Sequence, residues 1–450
     1  MDNERINAAL RDASATRCVV IGAGTLAAVD ATFAQCFEDR PAVVVADDNT
    51  FAAAGREVDA RLRAAGRTVA EPIVFPGTPT LYADFANVLA LEERLRNLDA
   101  TPVVVGSGTL NDITKLASHR AGRQYMCVGT AASMDGYTAF GAAITKDGFK
   151  QTMSCPAPRA VLADLNVLVH APPQMNATGY GDLLGKVTAG ADWILADALE
   201  AEPIDRRAWA LVQDSLREWT GKPQLLHAGD ARTIEYLFEG LILTGVAMQI
   251  SGSSRPASGC EHRFSHLWEM QALGHGHPAV PHGFKVGVGA IAGAALYERL
   301  LARDLTHLDI DGLGRAWPSR EQVERMVRQG HDIPPLAENA VEESLAKYIT
   351  PVQLGQRLRL IQERWPAIRE QLAGQLLTAD QLRGLLAAAG CPTDPAAIGI
   401  SLAQLRESYW LARTIRSRYT VLDLVTETGV LDACVGELFA PGGYWAPYAA

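Results

Sequence analysis

None of the seven cysteines of this 450-residue sequence (Cys18, Cys36, Cys127, Cys155, Cys260, Cys391 and Cys434) stands in a C-x-x-C pair, and their number is odd. That usage argues against a thiolate metal cluster and predicts a reduced, cytoplasmic chain. Basic charge is short as well: 41 Lys and Arg against 51 Asp and Glu leave a formal net charge of -10. A nucleic-acid binder normally carries a basic footprint, so no nucleic-acid partner is expected. Small anionic ligands stay open, because local placement of Lys and Arg decides those. Long hydrophobic runs are missing too. The longest apolar stretches, near 241–250 and 286–297, fall short of a bilayer span, which predicts no membrane insertion. The N-terminal Met1-Asp2-Asn3-Glu4-Arg5 is charged and lacks an apolar stretch, so no secretory signal is expected. No low-complexity tract, long linker or internal repeat is visible.

What is present is the composition of a globular protein, with 48% apolar and 20% charged residues, on a chain long enough for two or three domains. The first third alternates short β-branched runs with helical segments. Cys18–Ile21, Val43–Ala46, Ile73–Phe75, Val103–Val105, Tyr125–Val128 and Val161–Asp164 are apolar on both faces, as parallel strands covered by helices require. The rhythm is βαβ and predicts an open doubly wound sheet. After about residue 170 the strand-like runs stop and helical spacing takes over. Leu183, Leu184, Val187, Ala191, Ile194 and Leu195 recur every three or four positions. The expected division is an α/β domain over 1–172 and a helical domain over 173–450.

Three constellations carry chemistry. The run GSGTLNDITK, residues 106–115, follows the strand Val103–Val105, and a second turn, Gly129-Thr130-Ala131-Ala132-Ser133, follows the strand Tyr125–Val128. Turns of this kind at strand C-termini are where open α/β sheets bind ligands, and together they favour a nucleotide. A rival turn, Gly22-Ala23-Gly24-Thr25-Leu26-Ala27, matches the G-x-G-x-x-A fingerprint, with Asp47 placed where a ribose-binding acid would sit. The second constellation is Asp182 within GYGDLLGK, where an Asp early in a helix is most often only a cap. The third is histidine density: five of the ten histidines fall between His262 and His282. His262 and His266 are four apart and share one helix face, an arrangement that can bind one divalent ion or divide its roles between metal and substrate. A zinc-hydrolase reading fails on spacing, because Glu261 precedes the first His and no acid stands at 263.

The runs GSGTLNDITK (106–115), GTAASMDGYTA (129–139), ATGYGDLLGK (177–186), SGSSRPASGCEHRFSH (251–266) and PHG (281–283) resemble the glycerol-1-phosphate dehydrogenases. ADDNT (46–50) and RSRYTVLDL (416–424) add to the likeness, which extends from residue 17 to about 432. That family belongs with the dehydroquinate synthases, glycerol dehydrogenases and iron-containing alcohol dehydrogenases. The resemblance implies an α/β N-terminal dinucleotide-binding domain plus an all-helical C-terminal domain. It implies metal ligands at Asp182, His262 and His282, with His266, Asp135 and Asp182 facing the substrate. It implies NAD or NADP held by Asp47, Gly106, Ser107, Gly108, Thr109, Leu110, Asn111, Thr130, Ala131, Ala132 and Ser133. The first Gly-rich turn then plays a lesser part.

The expected activity is metal-dependent, reversible reduction of dihydroxyacetone phosphate to sn-glycerol 1-phosphate by NAD(P)H, within phospholipid metabolism. Zinc is the first choice of metal, with nickel or iron as alternatives. Another polyol dehydrogenase or a dehydroquinate-synthase-like lyase is the alternative activity. Partners are then a small phosphorylated triose or polyol and further copies of the chain in a homo-oligomer. Lys150, Arg255 and Lys285 are the cations closest in sequence to the motifs.

Overall fold

The computed structural model describes residues 4–146, 149–277 and 280–448. The chain forms two compact units: Met1–Leu183 with Arg207–Ala257, and Leu184–Arg206 with Ser258–Ala450. The architecture is an α/β N-terminal part and a helical C-terminal part, as the sequence predicts.

In the first unit the strands are β1 (Cys18–Gly22), β2 (Ala42–Asp47), β3 (Ile73–Phe75), β4 (Thr101–Gly106), β5 (Met126–Gly129), β6 (Ala142–Lys146), β7 (Phe149–Met153) and β8 (Ala160–Asp164). Six of them build a sheet in the order β1-β8-β5-β4-β2-β3, and every pairing in it is parallel. These six are the strands expected from the sequence. In the inner strands the side chains are buried on both faces: Val43, Val44 and Val45 of β2 and Val103, Val104 and Val105 of β4 are all fully inaccessible. Burying each such side chain contributes about 1.5–3 kcal/mol, which is why the runs read as continuous rather than alternating.

Pairing sets the working edge. Gly106 lies beside Gly129, Gly129 beside Ala163, and Gly22 beside Asp164, so the carboxyl ends of β1, β8, β5 and β4 share one rim. β2 pairs with both β3 and β4, and the chain runs outward to β3 before returning to β4. That reversal is a topological switch point, the usual location of a nucleotide crevice. An antiparallel hairpin, β6–β7, was absent from the sequence expectation.

The helix Ala231–Ser251 also belongs to the first unit, begun by Asp230, whose side chain accepts from Thr233 N, and ended at Gly252. By length and composition it could cross a membrane, yet most of its residues are buried, including the polar Glu235, Glu239 and Gln249. It is a core helix, rich in apolar residues because it is covered on most sides.

The second unit is helical among its described residues, and contains Lys186–Ala198, Cys260–Gly274, His282–Leu301, Pro351–Gln375 and Val421–Glu427. Cys260–Gly274 and His282–Leu301 approach very closely. A Cβ at Gly289 would strike the backbone of Glu261, so only glycine permits this crossing.

Candidate active site

The rim of the sheet supplies an anion-binding turn. The helix Gly108–Arg120 starts directly after β4, with Ser107 as N-cap and no side chain capping it. Asn111 N already donates to Ser107 O at 3.0 Å, whereas the N–H groups of the first turn have no helical carbonyl before them. Those donors, together with the positive end of the helix dipole, suit a pyrophosphate.

The other residues of GSGTLNDITK do a different job. The Asn111 amide donates to Gly136 O at 3.2 Å and accepts from Tyr125 Oη at 2.9 Å. Lys115 is buried and donates to three carbonyls, those of Gly136 (2.8 Å), Ala139 (3.0 Å) and Gly141 (3.0 Å). Asn111 and Lys115 therefore hold the 136–141 segment in place behind the turn.

The rival turn at Gly22–Ala27 already holds an anion from within the protein. Asp164, buried at the end of β8, accepts from Gly24 N and Leu26 N, each at 2.9 Å. Its carboxylate occupies the donors that a pyrophosphate would need. Asp47 ends β2 as expected, but one of its oxygens caps the next turn, accepting from Thr50 N at 2.7 Å and lying 2.9 Å from Thr50 Oγ1. It is half-buried at the rim.

The 130–135 segment is drawn inward. Thr130 N donates to Gly106 O at 3.1 Å, linking the two turns, and Ala132 N donates to Asn176 Oδ1 at 3.0 Å. Thr130, Ala131, Ala132 and Ser133 are all buried. The helix Pro173–Leu184 presses on this segment so tightly that a Cβ at Gly179 would collide with the Ala132 carbonyl. The same helix carries Asp182, which is fully buried in its last turn, and Asp182 Oδ2 accepts from Asp135 N at 3.0 Å. Asp182 is thus not an N-cap. The structure places Asp135 and Asp182 together in the first unit.

In the second unit three imidazoles meet. Ring centroids are 5.2 Å apart for His262 and His282, 5.9 Å for His262 and His266, and 5.8 Å for His266 and His282. His262 and His266 come from one face of Cys260–Gly274, and His282 is the first residue of its helix. Burial pushes the His266 ring well below the usual histidine range, and Arg416, His282 and His262 add to the effect, so it is neutral near pH 7. His262 Nδ1 lies 2.8 Å from Glu261 Oε1, which leaves Nε2 to face outward from that pair. Two imidazoles and a carboxylate form a donor set that fits zinc, nickel or iron. His275 sits 3.3 Å from Asp332 in an exposed pair, apart from this cluster.

Two residues were passed over by sequence reasoning. In the sequence Glu261 reads only as a protease base out of position. Arg416, whose charge is felt at His266, stands 3.8 Å from Glu343 and is half-buried. Of the cations nearest the motifs, Lys285 is buried against Glu269 at 3.1 Å, which neutralises it. The second unit also contains a cavity of about 880 Å³ lined by Trp317, Tyr348, Lys347, Trp410, Arg413 and Asp423. None of the residues expected to act chemically lines it.

Residues 4–172 match the family described as iron-containing alcohol dehydrogenase. A maleylacetate reductase from Agrobacterium tumefaciens shares the fold with a TM-score of 0.56 and 18% identity, over 92% of this chain and 96% of its own. A sulfoacetaldehyde reductase from Bifidobacterium kashiwanohense does so with a TM-score of 0.57 and 14% identity, over 95% and 98%. Sequence relatives are more specific. A glycerol-1-phosphate dehydrogenase [NAD(P)+] from Bacillus velezensis is 32% identical over 87% of this chain and 86% of its own length. One from Halalkalibacterium halodurans is 38% identical over 57% of this chain, and there the match spans 64% of the relative. The chain belongs to the glycerol-1-phosphate dehydrogenase family and is an oxidoreductase.

Proposed function

We propose that this protein reduces dihydroxyacetone phosphate reversibly to sn-glycerol 1-phosphate, using NADH or NADPH and one divalent metal ion. The observation that carries the reading is the three-imidazole cluster of His262, His266 and His282, with His262 Nδ1 engaged by Glu261. Relatives named glycerol-1-phosphate dehydrogenase [NAD(P)+] support it.

Residues 1–172 would carry the cofactor and residues 173–450 the metal and substrate. In the cofactor site, the first-turn N–H groups of Gly108, Thr109 and Leu110 would take the pyrophosphate. Gly106, Ser107 and Asn111 would shape that turn. Asp47 would accept from a ribose hydroxyl with the oxygen not used in capping. Thr130, Ala131, Ala132 and Ser133 would wall the nicotinamide end.

Asp182, His262 and His282 would hold the metal. When bound, the ion polarises the substrate carbonyl oxygen and NAD(P)H supplies the hydride. His266, neutral and one turn from His262, would pass a proton to the oxygen at C2. Asp135, its N–H tied to Asp182, would accept from a substrate hydroxyl. Arg416 would face the substrate phosphate. A cytoplasmic homo-oligomer serving phospholipid synthesis accords with this role.

The test is NAD(P)H absorbance with dihydroxyacetone phosphate, with and without chelator. The expected result is oxidation of the dinucleotide that chelator abolishes and added zinc restores. Oxidation unaffected by complete metal removal, or none with this substrate, would contradict the reading.

A further inference from the structure

Glu261 is fully buried, and each of its carboxylate oxygens has a partner. Oε1 accepts from Gly259 N at 2.6 Å and lies 2.8 Å from His262 Nδ1, and Oε2 lies 2.7 Å from Thr188 Oγ1. An ionised carboxylate has only lone pairs to offer, so the proton of this contact sits on Nδ1. The ring is then the tautomer whose lone pair is on Nε2. Imidazole ligands are commonly oriented by such a carboxylate on their second nitrogen.

A second buried carboxylate fixes the backbone on which this happens. Asp192 Oδ2 accepts from Cys260 N at 2.6 Å, and its Oδ1 accepts from Tyr297 Oη at 2.6 Å and Val421 N at 2.7 Å. The start of the Cys260–Gly274 helix is thereby tied to the helices Lys186–Ala198, His282–Leu301 and Val421–Glu427. Asp192, Cys260 and Glu261 lie close enough to suggest a metal site of their own. Their carboxylate oxygens, however, are already used by N–H, O–H and ring donors. The trio reads as a brace.

We propose that Glu261 is the positioning residue that fixes the His262 tautomer and aims Nε2 at the metal. The proposal rests on the reading of His262 as a metal ligand. Glu261 does not touch substrate or ion; it acts through His262.

The experiment uses the full chain in three forms: wild type, Glu261→Ala and Glu261→Gln. Zinc affinity is measured by chelator competition, and 15N-histidine spectra of the metal-free protein are recorded, with His262→Ala assigning the signal. The expected wild-type spectrum shows His262 protonated at Nδ1. Glu261→Ala should weaken zinc binding about 10–100-fold. Glu261→Gln keeps an acceptor and a near-identical shape, so it should fold and recover part of the affinity.

Wild-type affinity in Glu261→Ala, or a wild-type His262 protonated at Nε2, overturns the proposal alone. If Glu261→Ala does not fold, undiminished affinity in Glu261→Gln together with the wrong tautomer does the same. A wild-type chain that binds no divalent ion overturns the metal reading and this proposal with it. Zinc retained when His262, Asp182 and His282 are all replaced by Ala, and lost with Asp192→Asn, would place the ion in the brace and overturn it too.

Discussion

The backbone N–H of Asp135 donates to Asp182 Oδ2 across 3.0 Å, joining a loop at the carboxyl rim of the sheet to the last turn of the helix Pro173–Leu184. One carboxylate oxygen of Asp182 is committed to positioning Asp135, which ties the proposed metal ligand to the substrate-facing loop. Asp182→Asn keeps the shape and an acceptor for that N–H. The variant should therefore fold with an unchanged melting temperature. Its turnover should fall at least about 100-fold, the scale of losing several kcal/mol of charge stabilisation. Steady-state kinetics beside circular dichroism checks this.

Asp47 has two jobs that separate by substitution. Asp47→Ala should lose about 1 kcal/mol from the missing cap and raise KM for NAD(P)H. Asp47→Ser restores a capping oxygen without the charge. It should recover the stability and keep the raised KM. A recovered KM in the Ser variant would assign the residue to capping alone.

Arg416 acts electrostatically on His266 and remains partly accessible. Arg416→Leu should raise KM for dihydroxyacetone phosphate about 10-fold or more, the worth of a charge-assisted hydrogen bond. KM for NAD(P)H should stay within about 2-fold of the wild type. Equal effects on both substrates would show that the residue only supports the fold.

The second unit also contains a buried ionic knot. Burial alone would raise the Asp423 carboxyl, but Lys347, Arg263 and Arg413 together outweigh it and hold it far below the usual carboxylate range. Its folded pKa is depressed, so its contribution is fully present above the unfolded value of about 3.9 and is lost as pH falls through the folded value. Asp423→Asn should cost roughly 3–5 kcal/mol at pH 7, because it strands buried cations. The gap from wild type should close steadily below about pH 4. Urea melts between pH 7 and pH 2 measure both.

The inner sheet strands were readable because strands such as β2 and β4 are buried on both faces and need an unbroken apolar run, and the edge strands β1 and β3 showed as short apolar runs. The β6–β7 hairpin was not, since Ala142–Lys146 and Phe149–Met153 mix small, polar and charged residues without a clear period. The helix Ala231–Ser251 was readable as apolar, but periodicity does not say which partner a helix packs on. Its place with the first unit came only from the fold.

Among the site residues, the histidine cluster announced itself by density. Asn111 looks like a ligand-facing group in sequence, because a polar residue after a Gly-rich turn has the same signature whether it points out or in. Glu261 was hidden for a similar reason: the contact that matters, with the ring next to it in sequence, depends on rotamers rather than spacing.

The most direct measurement is metal content by elemental analysis, in the wild type and in Asp182→Ala, His262→Ala and His282→Ala. The account predicts one divalent ion per chain in the purified wild type and almost none in each variant, with all four folded. Full metal content in any of the three variants would remove that residue from the ligand set, and full content in all of them would contradict the account.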